Sequence, residues 1–379
     1  MSHYELITSQ AVLQDRLPQM TSAPVLALDT EASSFHRYKE RMCLVQISDR
    51  DRTWLIDPLA IPELTALGNL LSDPKKEVVI HDADYDLRIL ARDHGIRVEH
   101  IFDTLIAAEL VNEPEIGLAA LLRKHLGVEV DKKFQKADWS RRPLPIPMLD
   151  YAAGDTDHLI ALRDILKQRL NQLGRWDWAM EEFGLLTNAP FERSADTEPA
   201  FMRIMGARVL KPQQLAVLSA VHAWREGVAA RMDRAPFMVL GNEALIMLAT
   251  DPPVRTSDLK GRKGMSDKVV QRHGVDLLAA VERGRAMPRE EWPRISKPKK
   301  WQRDEGYEDR LKRLKRTRDR LTLAHDLRPG IVASNQLLMD MARTLPGDLQ
   351  ALGALPGMRR YQVKHFGEDL LRVLDDERS

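Results

Sequence analysis

Several things are scarce in this chain, and each scarcity excludes something. Cys43 is the only cysteine among 379 residues, so no intramolecular disulfide can form and no cysteine-rich zinc site can be built. A reducing cytoplasm is the expected home. No run of 18 or more apolar residues occurs, so no transmembrane helix is expected. The opening residues, MSHYELITSQ, lack the basic start and apolar core of a signal peptide. The formal net charge is only +1, so the total says nothing about partners and the distribution has to. What is present is 44% hydrophobic and 30% charged residues, the balance of a soluble globular protein. The length allows two or three domains.

Residues 1–170 read as alternating strands and helices. Strands are expected at 24–28, 43–47, 53–56 and 78–80, the first three close enough to begin an antiparallel sheet. Helices are expected at 62–72, 84–94, 104–111, 116–126 and 147–170. That alternation means an α/β or mixed layered fold. After about residue 185 only helical patterns follow. The stretch 215–232 is amphipathic, with Leu215, Leu218, Val221 and Val228 at helical spacing.

The second half repeats itself. Pro236, Val239, Asn242, Leu245 and Ala249 match Pro329, Val332, Asn335, Leu338 and Ala342. At the same offset, Gly264-Met265 matches Gly357-Met358, and Gly274-x-Asp276-Leu277-Leu278 matches Gly367-x-Asp369-Leu370-Leu371. Two copies of one small helical domain follow from this. The expected boundaries are a first domain at 1–186, a linker at 187–207, one helical domain at 208–286, a basic linker at 287–302 and a second helical domain at 303–376. Residues 294–320 hold twelve Lys or Arg against five Asp or Glu. This is either a solvated helix face or a surface for a polyanion.

The chemistry concentrates in the first half. An apolar run, Val25 to Leu28, leads into Asp29-Thr30-Glu31. Alternate strand residues share a face, so Asp29 and Glu31 point at one spot, and two carboxylates that close call for a positive charge between them. The segment HDADYDL, residues 81–87, enters a helix whose buried side starts at Leu87, with Asp86 at its edge and Asp82 and Asp84 as first-turn acids. Further on, Tyr151 and Asp155 stand one helical turn apart. Four carboxylates and a tyrosine in one α/β domain suit a hard divalent cation with oxygen ligands. A two-cation site of this kind is suited to phosphodiester hydrolysis.

The order and spacing of DTE (29–31), HDADYDL and YAAGD (151–155) resemble the three motifs of the DEDD 3′→5′ exonucleases, in the branch that carries a tyrosine. The stretch KKFQKADWSRRPLP (132–145) is similar to one typical of the ribonuclease D family, and the duplicated helical unit resembles the HRDC domain that this family carries twice. The resemblance implies a ribonuclease H-like mixed sheet followed by two all-α domains. It implies two divalent cations, Mg²⁺ or Mn²⁺. Asp29 would bridge both, Glu31 and Asp155 would complete the site that holds the attacking water, Asp86 would hold the second cation, and Tyr151 would orient the water. It also implies 3′→5′ removal of nucleoside 5′-monophosphates from RNA, in tRNA precursors with 3′ extensions, by a monomer without membrane attachment. A DNA exonuclease, or a non-catalytic RNA-binding protein on the same fold, are the alternatives.

One departure stands out: where many members have Phe directly after the first motif, this chain has Ala32, with Phe35 three residues on. Thr30, Phe35, His81, Lys133, Gln135 and Arg142 are the candidate substrate contacts. For His81 a hydrogen-bonded structural role is favoured over one facing the site. Trp139 is open between a packing anchor and a substrate contact. Asp103 is expected to cap a helix, and Gln46 to be structural.

Overall fold

The computed structural model describes residues 4–61, 63–131, 133–189, 198–295 and 306–375. Its first part is built on six strands: β1 (Tyr4–Ile7), β2 (Val25–Ala32), β3 (Met42–Ser48), β4 (Thr53–Ile56), β5 (Glu77–Ile80) and β6 (Ile101–Asp103). They lie in the order β1-β4-β3-β2-β5-β6. β3 is antiparallel to both of its neighbours, β4 and β2, while β1, β5 and β6 run parallel to their neighbours. Eight helices belong with this mixed sheet: α1 (Gln10–Ser22), α2 (Thr65–Leu71), α3 (Asp84–His94), α4 (Thr104–Leu110), α5 (Leu118–Leu126), α6 (Ile146–Gly154), α7 (Leu159–Gln172) and α8 (Trp176–Thr187).

Two features of this layout place the site. β5 pairs with β2 only from Val25 to Ala27, so the far half of β2 runs on past the β5 ladder and leaves a crevice there. α3 starts beside that crevice. Its first turn carries Asp84 and Asp86, its last turn Arg92 and His94, and Gly95 ends it at φ +65°, an arrangement that suits the helix dipole and the left-handed cap. Leu87, Ile89 and Leu90 bury its inner side.

The strand expected at 24–28 extends to Ala32 and contains both Asp29 and Glu31. The single helix expected at 147–170 is two helices, broken at 155–158. The break is held by hydroxyl groups: Ser48 Oγ lies 2.6 Å from both Thr53 Oγ1 and Thr156 Oγ1, and Thr53 donates to Asp157. β1, β6, α1 and α8 have no counterpart among the expected elements.

The second half is helical: α9 (Pro212–Met232), α10 (Pro236–Val239), α11 (Asn242–Thr250) and α12 (Asp267–Arg285), then α13 (Tyr307–Ala324), α14 (Pro329–Val332), α15 (Asn335–Thr344), α16 (Leu349–Gly353) and α17 (Arg360–Asp375). The repeat is structural as well as sequential. Arg225 Nη1 donates to Asn242 Oδ1 at 2.7 Å, and Arg318 Nη1 to Asn335 Oδ1 at 2.7 Å. Gly264 and Gly357 turn at φ +81° and +83°, where a side chain is strained. Gly274 and Gly367 fill matching tight spots, where an added Cβ would stand 2.8 Å from Thr256 and 2.6 Å from Leu349.

Phe201, Met202, Ile204 and Ala207, expected in the linker, are buried in the first module's core. The apolar pairs Phe201-Met202 and Ile204-Met205, split by Arg203 and ended by Gly206, are too short to show a period that marks them as core. Residues 190–197 of that linker, and 296–302 of the expected basic linker, lie outside the described residues, as does the 296–305 part of the basic stretch. The second module is seated on α8 of the sheet-containing part. Tyr361 stacks on Trp178 with ring centroids 4.8 Å apart and planes at 10°. Glu181 accepts the backbone N–H groups of Arg360 and Tyr361, and Glu182 takes Arg359 Nε at 2.9 Å. The first module touches the loop after β2 through Tyr38, packed on its core, and through Arg37, whose Nη1 lies 3.7 Å from Asp233.

Candidate active site

Asp29, Glu31 and Asp155 each offer a carboxylate oxygen to one spot, with the three oxygens within 4.8 Å of one another. Asp29 and Glu31 share a face of β2, and Asp155 comes from the residue that closes α6. Asp86 stands close enough for its charge to be felt by Glu31 and to feel that of Asp29. It is buried, and Thr30 Oγ1 donates to its Oδ1. The structure thus gathers three carboxylates tightly and sets the fourth beside them rather than among them. Asp29, Glu31 and Asp155 border a cleft of about 440 Å³, also lined by Thr30, His81, Gln135 and Tyr151.

Burial is the main force on these acids. It pushes Asp29 up to about 7 and Asp155, which also feels the charge of Asp29, up to about 8. Glu31 rises well above its ordinary value through burial, then through Asp29, Asp155 and Asp86. Asp86 rises well above through burial, then through Asp29. Four carboxyl groups that all resist ionisation would ionise far more readily beside a cation. The donors are oxygens only, which fits a hard divalent ion such as Mg²⁺ or Mn²⁺.

Tyr151 is hydrogen-bonded to Asp155, and burial with the neighbouring carboxylates pushes its hydroxyl above the ordinary tyrosine value. It stays protonated. Phe134 and Trp139 hold its ring at centroid distances of 5.9 and 6.1 Å. Trp139 is buried, so it is a packing anchor. Neutral His81, pushed down to about 4 by burial, meets Thr104 Oγ1 at 2.9 Å through Nδ1 and still borders the cleft.

The other expected contacts separate. Lys133 lines an adjoining cleft of about 400 Å³ that shares Tyr151, and its ammonium lies 5.5 Å from the Phe134 ring centre. Phe35 is exposed, with Lys136 at 6.0 Å from its ring centre. Arg142 is engaged within the protein. Its Nε and Nη2 grip the buried Asp57 at 2.6 and 2.7 Å, and its remaining N–H groups reach the carbonyls of Cys43, Trp139 and Arg141. With its donors used inside the protein, it braces the loop behind Tyr151.

Asp103 caps α4 as expected and does more. Its carboxylate accepts four backbone N–H groups, from Asp82, Ala83, Leu105 and Ile106. It thereby fixes the turn that delivers α3 and Asp86. Asp82 sits in that turn at φ +63°, before the helix rather than in its first turn, while Asp84 pairs with Arg88 at 2.6 Å. The hydroxyl set around Thr156, which steadies Asp155, went unanticipated. Ser and Thr at a hairpin carry no signal of where they point.

Comparison with known proteins decides the family. A 3′-5′ exonuclease family model matches residues 4–171, and an HRDC domain model matches 214–281 and 308–374. Ribonuclease D of Gluconacetobacter diazotrophicus is 32% identical over 373 residues, covering 98% of this chain and 92% of that one. The chain belongs to the ribonuclease D family. Ribonuclease D of Nitrobacter hamburgensis is also 32% identical, with 97% and 94% covered. Among solved structures, Escherichia coli RNase D, an exoribonuclease involved in structured RNA processing, superposes with a TM-score of 0.72 at 26% identity and covers 99% of both chains. The catalytic core of Trypanosoma brucei RRP6 gives 0.65 at 27% identity, covering 75% of this chain and 80% of that one. As a member of the ribonuclease D family, the chain is a 3′→5′ exoribonuclease that acts on RNA. No described helix is long and apolar enough to cross a membrane.

Proposed function

We propose that this exoribonuclease matures the 3′ ends of precursor tRNAs in the cytoplasm, acting as a monomer and releasing nucleoside 5′-monophosphates one at a time. The observation that carries the reading is the meeting of Asp29, Glu31 and Asp155 within 4.8 Å, with the Tyr151 hydroxyl on Asp155. Asp29 would belong to two groups of ligands. Glu31 and Asp155 would join it in holding one divalent cation, and Asp86 would join it in holding another. Bound there, two such cations would favour ionisation of an attacking water and offset charge on the leaving oxygen. Tyr151, kept protonated, aligns the water against the scissile phosphate. The rings of Phe134 and Trp139 keep that hydroxyl from swinging away.

Charge is divided along the chain in a way that supports an RNA substrate. Residues 1–189 have 22 Lys and Arg against 30 Asp and Glu, whereas residues 199–286 have 14 against 8 and residues 307–375 have 13 against 9. The acidic part holds the cleft and the helical modules supply the cationic excess. Phosphate contacts by those modules predict binding that weakens steeply with salt.

The test is hydrolysis of a 3′-extended tRNA and of a matched DNA strand with Mg²⁺ or Mn²⁺. Shortening of the tRNA from its 3′ end is expected, with Asp29→Ala reducing the rate at least about a hundredfold. Full activity in that variant refutes the site. Preference for DNA overturns the RNA assignment, and RNA binding without cleavage overturns the enzyme.

A further inference from the structure

Gln46 lies in the middle of β3 and is 0% exposed. The sheet register sets it directly opposite Asp29. Opposite residues on antiparallel strands leave the sheet from the same face, with Cβ atoms about 4.5–5.5 Å apart. Gln46 therefore stands beside the carboxylate cluster, on the sheet face that carries it. Neither its amide nitrogen nor its carbonyl oxygen has a hydrogen-bond partner among the described residues. Its neighbours on β3 along this face do not share that problem: Leu44 belongs to an apolar cluster, and Ser48 is satisfied by Thr53 and Thr156.

An unpaired buried polar group destabilises a fold, and an apolar side chain of the same shape removes the penalty. Methionine would fit this position by length. A position that keeps a costly amide beside an active site points to a partner gained in another state of that site. Asp86 already has a side-chain donor in Thr30. Asp29 receives the Thr30 backbone N–H and no side-chain donor among the described residues.

We propose that Gln46 is a positioning residue, its amide N–H₂ donating to the Asp29 carboxylate when the acidic cluster holds divalent cations. This rests on the cation-dependent reading above. A carboxylate that holds a cation keeps further lone pairs for a side-chain N–H, and Gln46 is the amide that the sheet register sets opposite it. Carboxylate ligands are commonly oriented by such an outer hydrogen bond. Asp29, shared by both ligand groups in that reading, is the carboxylate whose rotation matters most.

The experiment compares full-length wild type, Gln46→Met, Gln46→Leu and Asp29→Asn by calorimetric titration with Mn²⁺, by thermal denaturation with and without Mn²⁺, and by steady-state kinetics on a 3′-extended RNA. Metal-free Gln46→Met should melt at or above the wild-type temperature. Its Mn²⁺ affinity should fall about 10–100-fold, and kcat should fall while KM for RNA holds. Gln46→Leu, smaller, guards against misfit of the methionine and should behave alike. Wild-type Mn²⁺ affinity in these variants overturns the inference. So does a lower metal-free melting temperature with Mn²⁺ affinity intact, which marks a purely structural amide. If wild type itself binds no Mn²⁺, or Asp29→Asn binds it equally well, the cation-dependent reading fails instead.

Discussion

Cation binding at this cluster must expel protons, and the structure says how many. Burial holds Asp29 at about 7 and Asp155 at about 8. At pH 7 these two carboxyl groups carry about 0.5 and about 0.9 of a proton. A cation that needs both as carboxylates displaces about 1.4 protons from them, and Glu31, also raised, adds to the release. At pH 9 the pair retains only about 0.1 proton. The sign follows: protons and the cation compete, so Mn²⁺ affinity falls as pH falls. Between pH 8 and pH 6 the pair weakens it by at least about tenfold. Titration of the metal-free protein with Mn²⁺ in two buffers of different ionisation enthalpy counts the protons directly. Release of more than one proton at pH 7 that shrinks at pH 9 is expected. No release at pH 7, or the same release at both, would refute burial as the force on these acids.

Two further outcomes follow from the supports of the site. Asp103→Ala takes the acceptor from four backbone N–H groups, so thermal stability should fall by about 2–4 kcal/mol and Mn²⁺ affinity should fall with it as Asp86 shifts; unchanged affinity would show that Asp103 is only a cap. Trp178→Ala removes the ring on which Tyr361 stacks and should cost about 3–5 kcal/mol in denaturation, with Mn²⁺ affinity retained. A loss below 1 kcal/mol would mean the second module is held elsewhere.

Much of the site could be read from residue order because local rules governed it. Asp29 and Glu31 share a face by strand period alone, and α3 begins at Asp84 and ends at His94 where its acids, bases and Gly95 say it should. The repeat was visible because core positions such as Leu245 and Leu338 recur in step. The failures are non-local. Arg142 looked free because its partner, Asp57, is 85 residues away. The break between α6 and α7 was hidden because apolar residues continue on both sides, and what breaks the helix comes from the β3–β4 hairpin. β6 is three residues long, too short for any period to show. The quiet case is Gln46: a lone glutamine in an apolar strand offers no sign of where it stands until the register pairs it with Asp29.

The seating of the second module has a consequence in time. Trp178, Glu181 and Glu182 are made about 180 residues before the segment that covers them, Arg359 to Phe366. At about 5–20 residues per second, that delay on the ribosome is on the order of 10–40 s. During it the nuclease part must manage with a large aromatic surface uncovered, at the age when a nascent chain is most prone to wrong partners.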